Sequence, residues 1–233
     1  SNRTYAAYDV TGDGMKDKIR IRAANQTDDE AYSSLTVSVN GKTAYRLKNT
    51  RFYNVIANIY TLKNGQPFLY LYAPAENGDG PVCALLKYTN GKFRKALDFT
   101  EIMAGYGNHR IGEVTNLNGN KIVITESIVS YSLGINAINF TYEYVNGKFV
   151  PTSRYGSYKE IYSADGSSRY FTVNSELPAY ARPGATAVNT TLKTGSLTKI
   201  IKCALINRKM YIQLECDGEI YWIKALENPP ISD

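Results

Sequence analysis

The chain has 233 residues, of which 27 are Lys or Arg and 21 are Asp or Glu, giving a formal net charge of +6. The basic residues are spread along the chain, which argues against a nucleic-acid partner. No apolar run reaches the ~20 residues that a membrane-spanning helix needs. The length allows one large or two modest domains. Frequent Gly, Asn and Pro residues make long helices improbable, so the composition favours an all-β fold.

Residues 9–17, here called the aspartate loop, place oxygen-bearing side chains at alternate positions around two glycines. Ca²⁺ takes about six to eight oxygen ligands at ~2.3–2.6 Å, and Gly12 and Gly14 can adopt the positive φ that lets a backbone curl around an ion. The predicted ligands are the side chains of Asp9, Thr11, Asp13 and Asp17 and the backbone carbonyl of Met15. The alternative is a polar turn that opens a hairpin, because Asp-Gly pairs are common turn formers.

The residues after the aspartate loop decide which kind of calcium loop it is. An EF-hand needs an acidic residue at its twelfth position, at the head of a helix, and that position is Arg20. Ile19, Ile21 and Ala23 instead alternate with basic residues, a period of two that predicts a strand. The loop therefore resembles that of the FG-GAP or VCBS repeats of integrin-like propellers. That resemblance implies a calcium ion that ties together the first two strands of a propeller blade.

Five Asn-Gly pairs predict hairpin turns, because both residues of such a turn readily take positive φ. They begin at Asn40, Asn64, Asn90, Asn118 and Asn146, spaced 24 to 28 residues apart. Three of the pairs continue with Lys, about 50 residues apart, which predicts four-stranded propeller-like repeats. The predicted repeats span residues 5–47, 52–99 and 110–154, with a short helical turn in 100–107. Three repeats are fewer than a closed propeller has, so closure stays open.

A second Asn-Gly-Asp-Gly string occurs at residues 77–80. Ala75 and Cys83 occupy what would be its outer ligand positions. We therefore interpret the string as a tight turn and not as a second ion site.

The C-terminal part resembles a bacterial SH3 domain. The resemblance rests on Leu177 with residues 182–184, on the Leu-Lys-Thr-Gly segment at 192–195, and on Asp217-Gly218 followed by Tyr-Trp-Ile at 221–223. It departs from the family where Tyr221 replaces a glycine before Trp222. The predicted domains are a β-repeat domain at 1–160 and a small SH3-like barrel at 169–228. The aromatic residues that could line a ligand groove there are Tyr180, Tyr211, Tyr221 and Trp222.

The three cysteines form no C-x-x-C pair, and with a single histidine they predict no metal chemistry beyond calcium. Cys203 and Cys216 could bridge one hairpin. A turn at Asn207-Arg208 would instead place Cys203 opposite Ile212, so both arrangements remain open.

Catalytic signatures are scarce. His109 is the only histidine, and we interpret it as a loop or structural residue; no G-x-S-x-G or phosphate-loop string occurs. Glu101, Glu113 and Glu126 could serve a hydrolase as surface carboxylates, but they fit solvated strand faces equally well. The paired tyrosines at 70 and 72 and at 142 and 144 are expected to pack within strands.

Three hypotheses about function follow. The first is a non-catalytic calcium-binding module, extracellular or at a bacterial cell surface, that binds peptidoglycan, another envelope glycan or a surface protein. The second is a carbohydrate- or peptide-acting hydrolase. The third is a spacer region of a larger surface protein. The chain begins Ser1-Asn2 and not with Met, so we expect a signal or anchor segment to be missing from this sequence.

Overall fold

The computed structural model describes residues 2–27, 29–76, 80–102, 110–130, 134–161, 170–225 and 231–232. These residues form twenty strands and a short 3-10 helix at Phe99–Glu101, so the predicted all-β fold is confirmed. The 3-10 helix overlaps the start of the helical turn predicted at 100–107. No helix in the described part of the chain is long and apolar enough to cross a membrane.

The first 98 residues form two four-stranded antiparallel sheets, each with its strands in sequence order. The first sheet consists of β1 (Asn2–Tyr8), β2 (Asp17–Gln26), β3 (Tyr32–Val39) and β4 (Lys42–Phe52). The second consists of β5 (Ile56–Thr61), β6 (Pro67–Ala73), β7 (Val82–Thr89) and β8 (Lys92–Asp98). These sheets lie where the sequence predicted the first two four-stranded repeats.

The two sheets share one apolar core. In β2 the alternation read from the sequence is confirmed, because Ile19, Ile21 and Ala23 are buried and the basic residues between them are exposed. Every residue of β6 is buried, including Tyr70 and Tyr72, as a strand in the middle of a covered sheet requires. Strand packing thus accounts for these tyrosines.

All five Asn-Gly pairs lie at hairpin turns. At Asn40, Asn90 and Asn146 both turn residues have positive φ, with the Asn near +50°, as the hairpin signal predicts. At the other two pairs only the glycine has positive φ, so that part of the prediction is wrong there. The β5–β6 connection is longer than a two-residue turn and is closed by a bond from the Leu62 N–H to the Gln66 carbonyl, 3.0 Å long.

A third sheet contains ten of the described strands, in the order β19-β18-β17-β13-β11-β10-β9, with β12 beside β11 and β14 between β17 and β20. Its strands before the C-terminal region are β9 (Arg110–Asn118), β10 (Lys121–Ser130), β11 (Gly134–Val145), β12 (Lys148–Pro151) and β13 (Tyr155–Ile161). The others are β14 (Tyr170–Val173), β17 (Leu197–Ile206), β18 (Lys209–Cys216), β19 (Glu219–Lys224) and β20 (Ile231–Ser232). A separate ribbon pairs β15 (Leu177–Ala179) with β16 (Thr190–Leu192).

Strand β13 pairs with both β11 and β17, so strands of the third predicted repeat continue into a sheet with the C-terminal strands. The chain divides into two compact units, one of residues 1–100, 117–121 and 144–149 and the other of 101–116, 122–143 and 150–233. The boundaries of these units differ from those of the predicted domains 1–160 and 169–228. Each sheet formed by the described residues is open at both ends.

All three cysteines are buried free thiols. Cys203 lies opposite Ile212, the register that the turn at Asn207-Arg208 predicted, so the disulfide alternative with Cys216 is wrong. Burial raises the pKa of the Cys203 thiol to about 12, and burial likewise raises that of Cys216. A thiol in this state is a poor nucleophile, because the thiolate is the reactive form.

We therefore predict that iodoacetamide at neutral pH leaves the cysteines of the native protein unmodified. After denaturation without reductant, mass spectrometry should show three carbamidomethyl groups. A single added group in the denatured protein would mean that two of the cysteines are bridged, and rapid labelling of Cys203 in the native state would contradict its burial.

Candidate functional site

Asp17 is the first residue of β2, and its side chain is buried, with only 1% of the residue exposed. Its Oδ2 accepts hydrogen bonds from the backbone N–H groups of Val10 (2.8 Å) and Thr11 (2.9 Å). Its Oδ1 accepts one from the Asn40 side-chain amide at 2.6 Å. Through these hydrogen bonds the Asp17 carboxylate connects the end of the aspartate loop to its beginning and to the β3–β4 turn.

Asn40 holds this carboxylate in place from the neighbouring hairpin. Its Oδ1 accepts the Lys18 N–H at 2.8 Å, and its own N–H donates to the Lys18 carbonyl at 2.9 Å. Asn40 has a φ of 50° in this turn, a left-handed conformation in which Asn is enriched. Sequence reasoning identified Asn40 only as a turn residue. No local signal marks the second role, because its partner Asp17 lies 23 positions earlier.

Asp9 organises the outer part of the aspartate loop. Its Oδ1 accepts the Gly12 N–H at 2.6 Å, and its Oδ2 accepts the Gly14 N–H at 2.8 Å. Both glycines have φ above 80°, with open space where a Cβ would stand, so backbone conformation and not crowding requires glycine there. The pKa of Asp9 is lowered, chiefly by the Gly12 N–H, so the loop keeps this negative charge.

The Thr11 hydroxyl brings the two carboxylates together. It lies 3.3 Å from Asp9 Oδ1 and 3.3 Å from Asp17 Oδ1. A hydroxyl has one hydrogen to donate, so it can satisfy only one of these oxygens at a time. Two carboxylates that meet at one hydroxyl repel each other, and a cation placed there would lower that repulsion.

Only part of the predicted calcium ligand set meets at this point. Asp9, Thr11 and Asp17 come together, whereas Asp13 Oδ1 accepts the Met15 N–H at 2.8 Å within its own turn. Met15 is exposed, at 67%, but it is predicted to ligate through its backbone carbonyl, so this exposure does not test that prediction. Among the described residues no three His, Cys, Asp or Glu side chains group so as to hold a metal. A calcium ion here would therefore depend on Thr11 and backbone oxygens as well as on carboxylates.

The aromatic residues predicted to line a ligand groove belong to the C-terminal part of the chain and not to the aspartate loop. Tyr180, Tyr211 and Trp222 are buried together against Ala204, and the backbones of Tyr180 and Trp222 exchange two hydrogen bonds of 2.7 and 2.9 Å. These three side chains form a small core and not an exposed platform. The fourth predicted residue, Tyr221, is half-buried and pairs with Leu214.

The three carboxylates that could serve a hydrolase, Glu101, Glu113 and Glu126, lie in different environments. Glu101 is exposed and forms an ion pair with Arg208, and Glu113 is also exposed. Glu126 is fully buried, so the alternative of a solvated strand face is wrong for this residue. Burial, and to a lesser degree the charge of Glu126, raises the pKa of Tyr142 to about 12. His109 and residues 77–79 of the second Asn-Gly-Asp-Gly string lie outside the described residues.

We predict that Asn40→Gly lowers the free energy of unfolding by about 1–3 kcal/mol, because the buried Asp17 carboxylate loses a donor. Glycine accepts the positive φ, so the turn itself should survive. Asn90→Gly is the matched control, since Asn90 has φ 51° in the equivalent turn of β7–β8 and has no carboxylate partner among the described residues. Urea unfolding should show a change of a few tenths of a kcal/mol for the control. Equal losses in both variants would contradict the role given to Asn40.

Comparison of the chain with protein-family models, with curated proteins and with solved structures found no match.

Proposed function

We propose that this chain is a non-catalytic, ligand-binding β module of a bacterial cell surface, stabilised by calcium at the aspartate loop. The observation that carries the proposal is the position of the Thr11 hydroxyl, 3.3 Å from one oxygen of Asp9 and one of Asp17. Oxygen donors of this kind are the ligands that Ca²⁺ prefers.

In this proposal Asp9, Thr11 and Asp17 hold the ion. Binding would turn the Asp13 carboxylate away from the Met15 N–H that it accepts in this structure and toward the ion, with the Met15 carbonyl as the remaining ligand. The ion neutralises the charge that gathers at Thr11 and stiffens the connection between β1 and β2. A single site of this kind suits local stabilisation better than a calcium switch, because it joins neighbouring strands of one sheet.

The same proposal includes the resemblances to the FG-GAP or VCBS repeats and to bacterial SH3 domains. The FG-GAP or VCBS resemblance is supported by the two four-stranded antiparallel sheets in sequence order and by the aspartate loop between the first two strands. The bacterial SH3 resemblance is supported by the consecutive β17-β18-β19 pairing at the C-terminal end. The partners proposed are peptidoglycan, another envelope glycan or a surface protein, with an extracellular or cell-surface location.

We predict that Ca²⁺ raises the melting temperature by mass action. At a free concentration of about one hundred times Kd the ion stabilises by about 2.7 kcal/mol, which is about 5–10 °C for a chain of this size. Asp13→Ala should abolish the rise. Differential scanning calorimetry with and without a chelator measures it.

Asp29→Ala is the control for this experiment, because Asp29 is an exposed carboxylate in the β2–β3 connection that pairs with Arg51. Its response to calcium should equal that of the unmodified protein. If Asp13→Ala also kept the full response, the proposed ligand set would be wrong.

The surface-binding part has a separate test, sedimentation with purified cell-wall sacculi. We expect the protein to be retained in the pellet and a β protein of similar charge to stay in the supernatant. Absence of retention would remove wall binding from the proposal and would favour the spacer hypothesis.

A further inference from the structure

A cleft of about 590 Å³ lies beside the aspartate loop. Residues 9–12 of the loop form one wall, and the side chains that matter for its chemistry are those of Tyr8, Thr61, Asn64, Gln66 and Tyr88. Its volume is within the range of ~300–1,000 Å³ found for small-ligand sites. We call this space the loop cleft.

The two tyrosines of the loop cleft, Tyr8 and Tyr88, are anchored by packing against the apolar core. Tyr8 and Tyr88 are both half-buried and pack against the apolar cluster shared by the first two sheets. The Tyr88 ring also meets Phe93 edge to face, with ring centres 5.3 Å apart at 71°. Neither phenol hydroxyl forms a hydrogen bond with any described residue. The cleft thus contains fixed aromatic rings that carry unused polar groups.

Two neutral amides lie on the same hairpin turn. Asn64 Oδ1 accepts the Gln66 N–H at 3.0 Å, and Gln66 Nε2 donates to the Pro67 carbonyl at 3.2 Å. These bonds use one atom of each amide to fix its position. The Asn64 NH₂ group, a donor, and the Gln66 Oε1, an acceptor, take no part in them, and Thr61 adds an exposed hydroxyl.

The charge of the loop cleft selects against acidic ligands. Among the described residues that line the cleft, none is Lys or Arg and Asp9 is the one carboxylate. In the absence of a bound ion, an anionic polymer would therefore meet a negative charge with no compensating cation among the described wall residues.

We infer that the loop cleft binds a short segment of a neutral oligosaccharide. Sugar rings present apolar C–H faces that stack on tyrosine, and their hydroxyls both donate and accept, which matches the mixture of phenol, amide and hydroxyl groups on the walls. The inference rests on the ligand-binding role proposed above and names the ligand class. Asp9 and Thr11 also belong to the proposed calcium site, but the two tyrosines, the two amides and Thr61 do not. Sugar binding is therefore expected with or without the ion.

The test is isothermal titration of the intact protein with cellohexaose, chitohexaose and maltohexaose as neutral probes and with polygalacturonate as the acidic probe. We expect at least one neutral probe to bind and, in the presence of chelator, polygalacturonate not to bind. Tyr88→Phe and Gln66→Ala should each weaken that binding by about three- to tenfold, since each removes one hydrogen-bonding group. Tyr45→Phe is the matched control, because Tyr45 is a half-buried tyrosine against the same core but does not line the cleft.

Each other outcome overturns the inference. Absence of binding by every neutral probe does so, as does binding that both variants leave unchanged, or a preference for polygalacturonate. Melting temperatures measured with and without calcium separate this proposal from the proposed calcium site. Sugar binding without any calcium-induced rise in melting temperature would remove the calcium site and keep the cleft, and a calcium-induced rise without sugar binding would do the reverse.

Discussion

The buried carboxylate of Asp17 is the constraint on which the first sheet depends. Burying a charge without partners costs several kcal/mol, so Asp17 can stand at the start of β2 only if its oxygens are satisfied. Two backbone N–H groups of the aspartate loop and the Asn40 amide satisfy them. Because hydrogen bonds to charged groups contribute about 1.5–3 kcal/mol each, the loop and the β3–β4 turn must keep their positions together.

The hydrogen bonds of Asp17 order the aspartate loop without a bound ion. Asp9 gathers the Gly12 and Gly14 N–H groups on its two oxygens, and Thr11 is left between Asp9 and Asp17. The arrangement concentrates negative charge at one hydroxyl, which is the reason to place a cation there. Asp9 and Thr11 also line the loop cleft, so the metal and sugar proposals share these two residues.

Features set by local chemistry could be predicted from the sequence. The Asn-Gly turns and the alternation of Ile19, Ile21 and Ala23 depend on φ preferences and on a period of two, and both are present. Features set by distant residues could not. The Asn40–Asp17 bond, the pairing of β13 with β11 and β17, and the burial of Trp222 each depend on a segment far along the chain. Exposure in particular has no local signal, and for this reason Tyr180, Tyr211 and Trp222 could be expected in a groove although they form a core.

An anomalous difference map would locate the ion, from crystals in which calcium is replaced by a lanthanide, an ion of similar size and stronger signal. We expect a peak in contact with Asp9, Thr11 and Asp17, with the Asn40–Asp17 hydrogen bond retained. Ordered loop density without a peak, at a concentration that saturates other carboxylate sites, would show that the hydrogen bonds of Asp17 and Asp9 alone organise the loop.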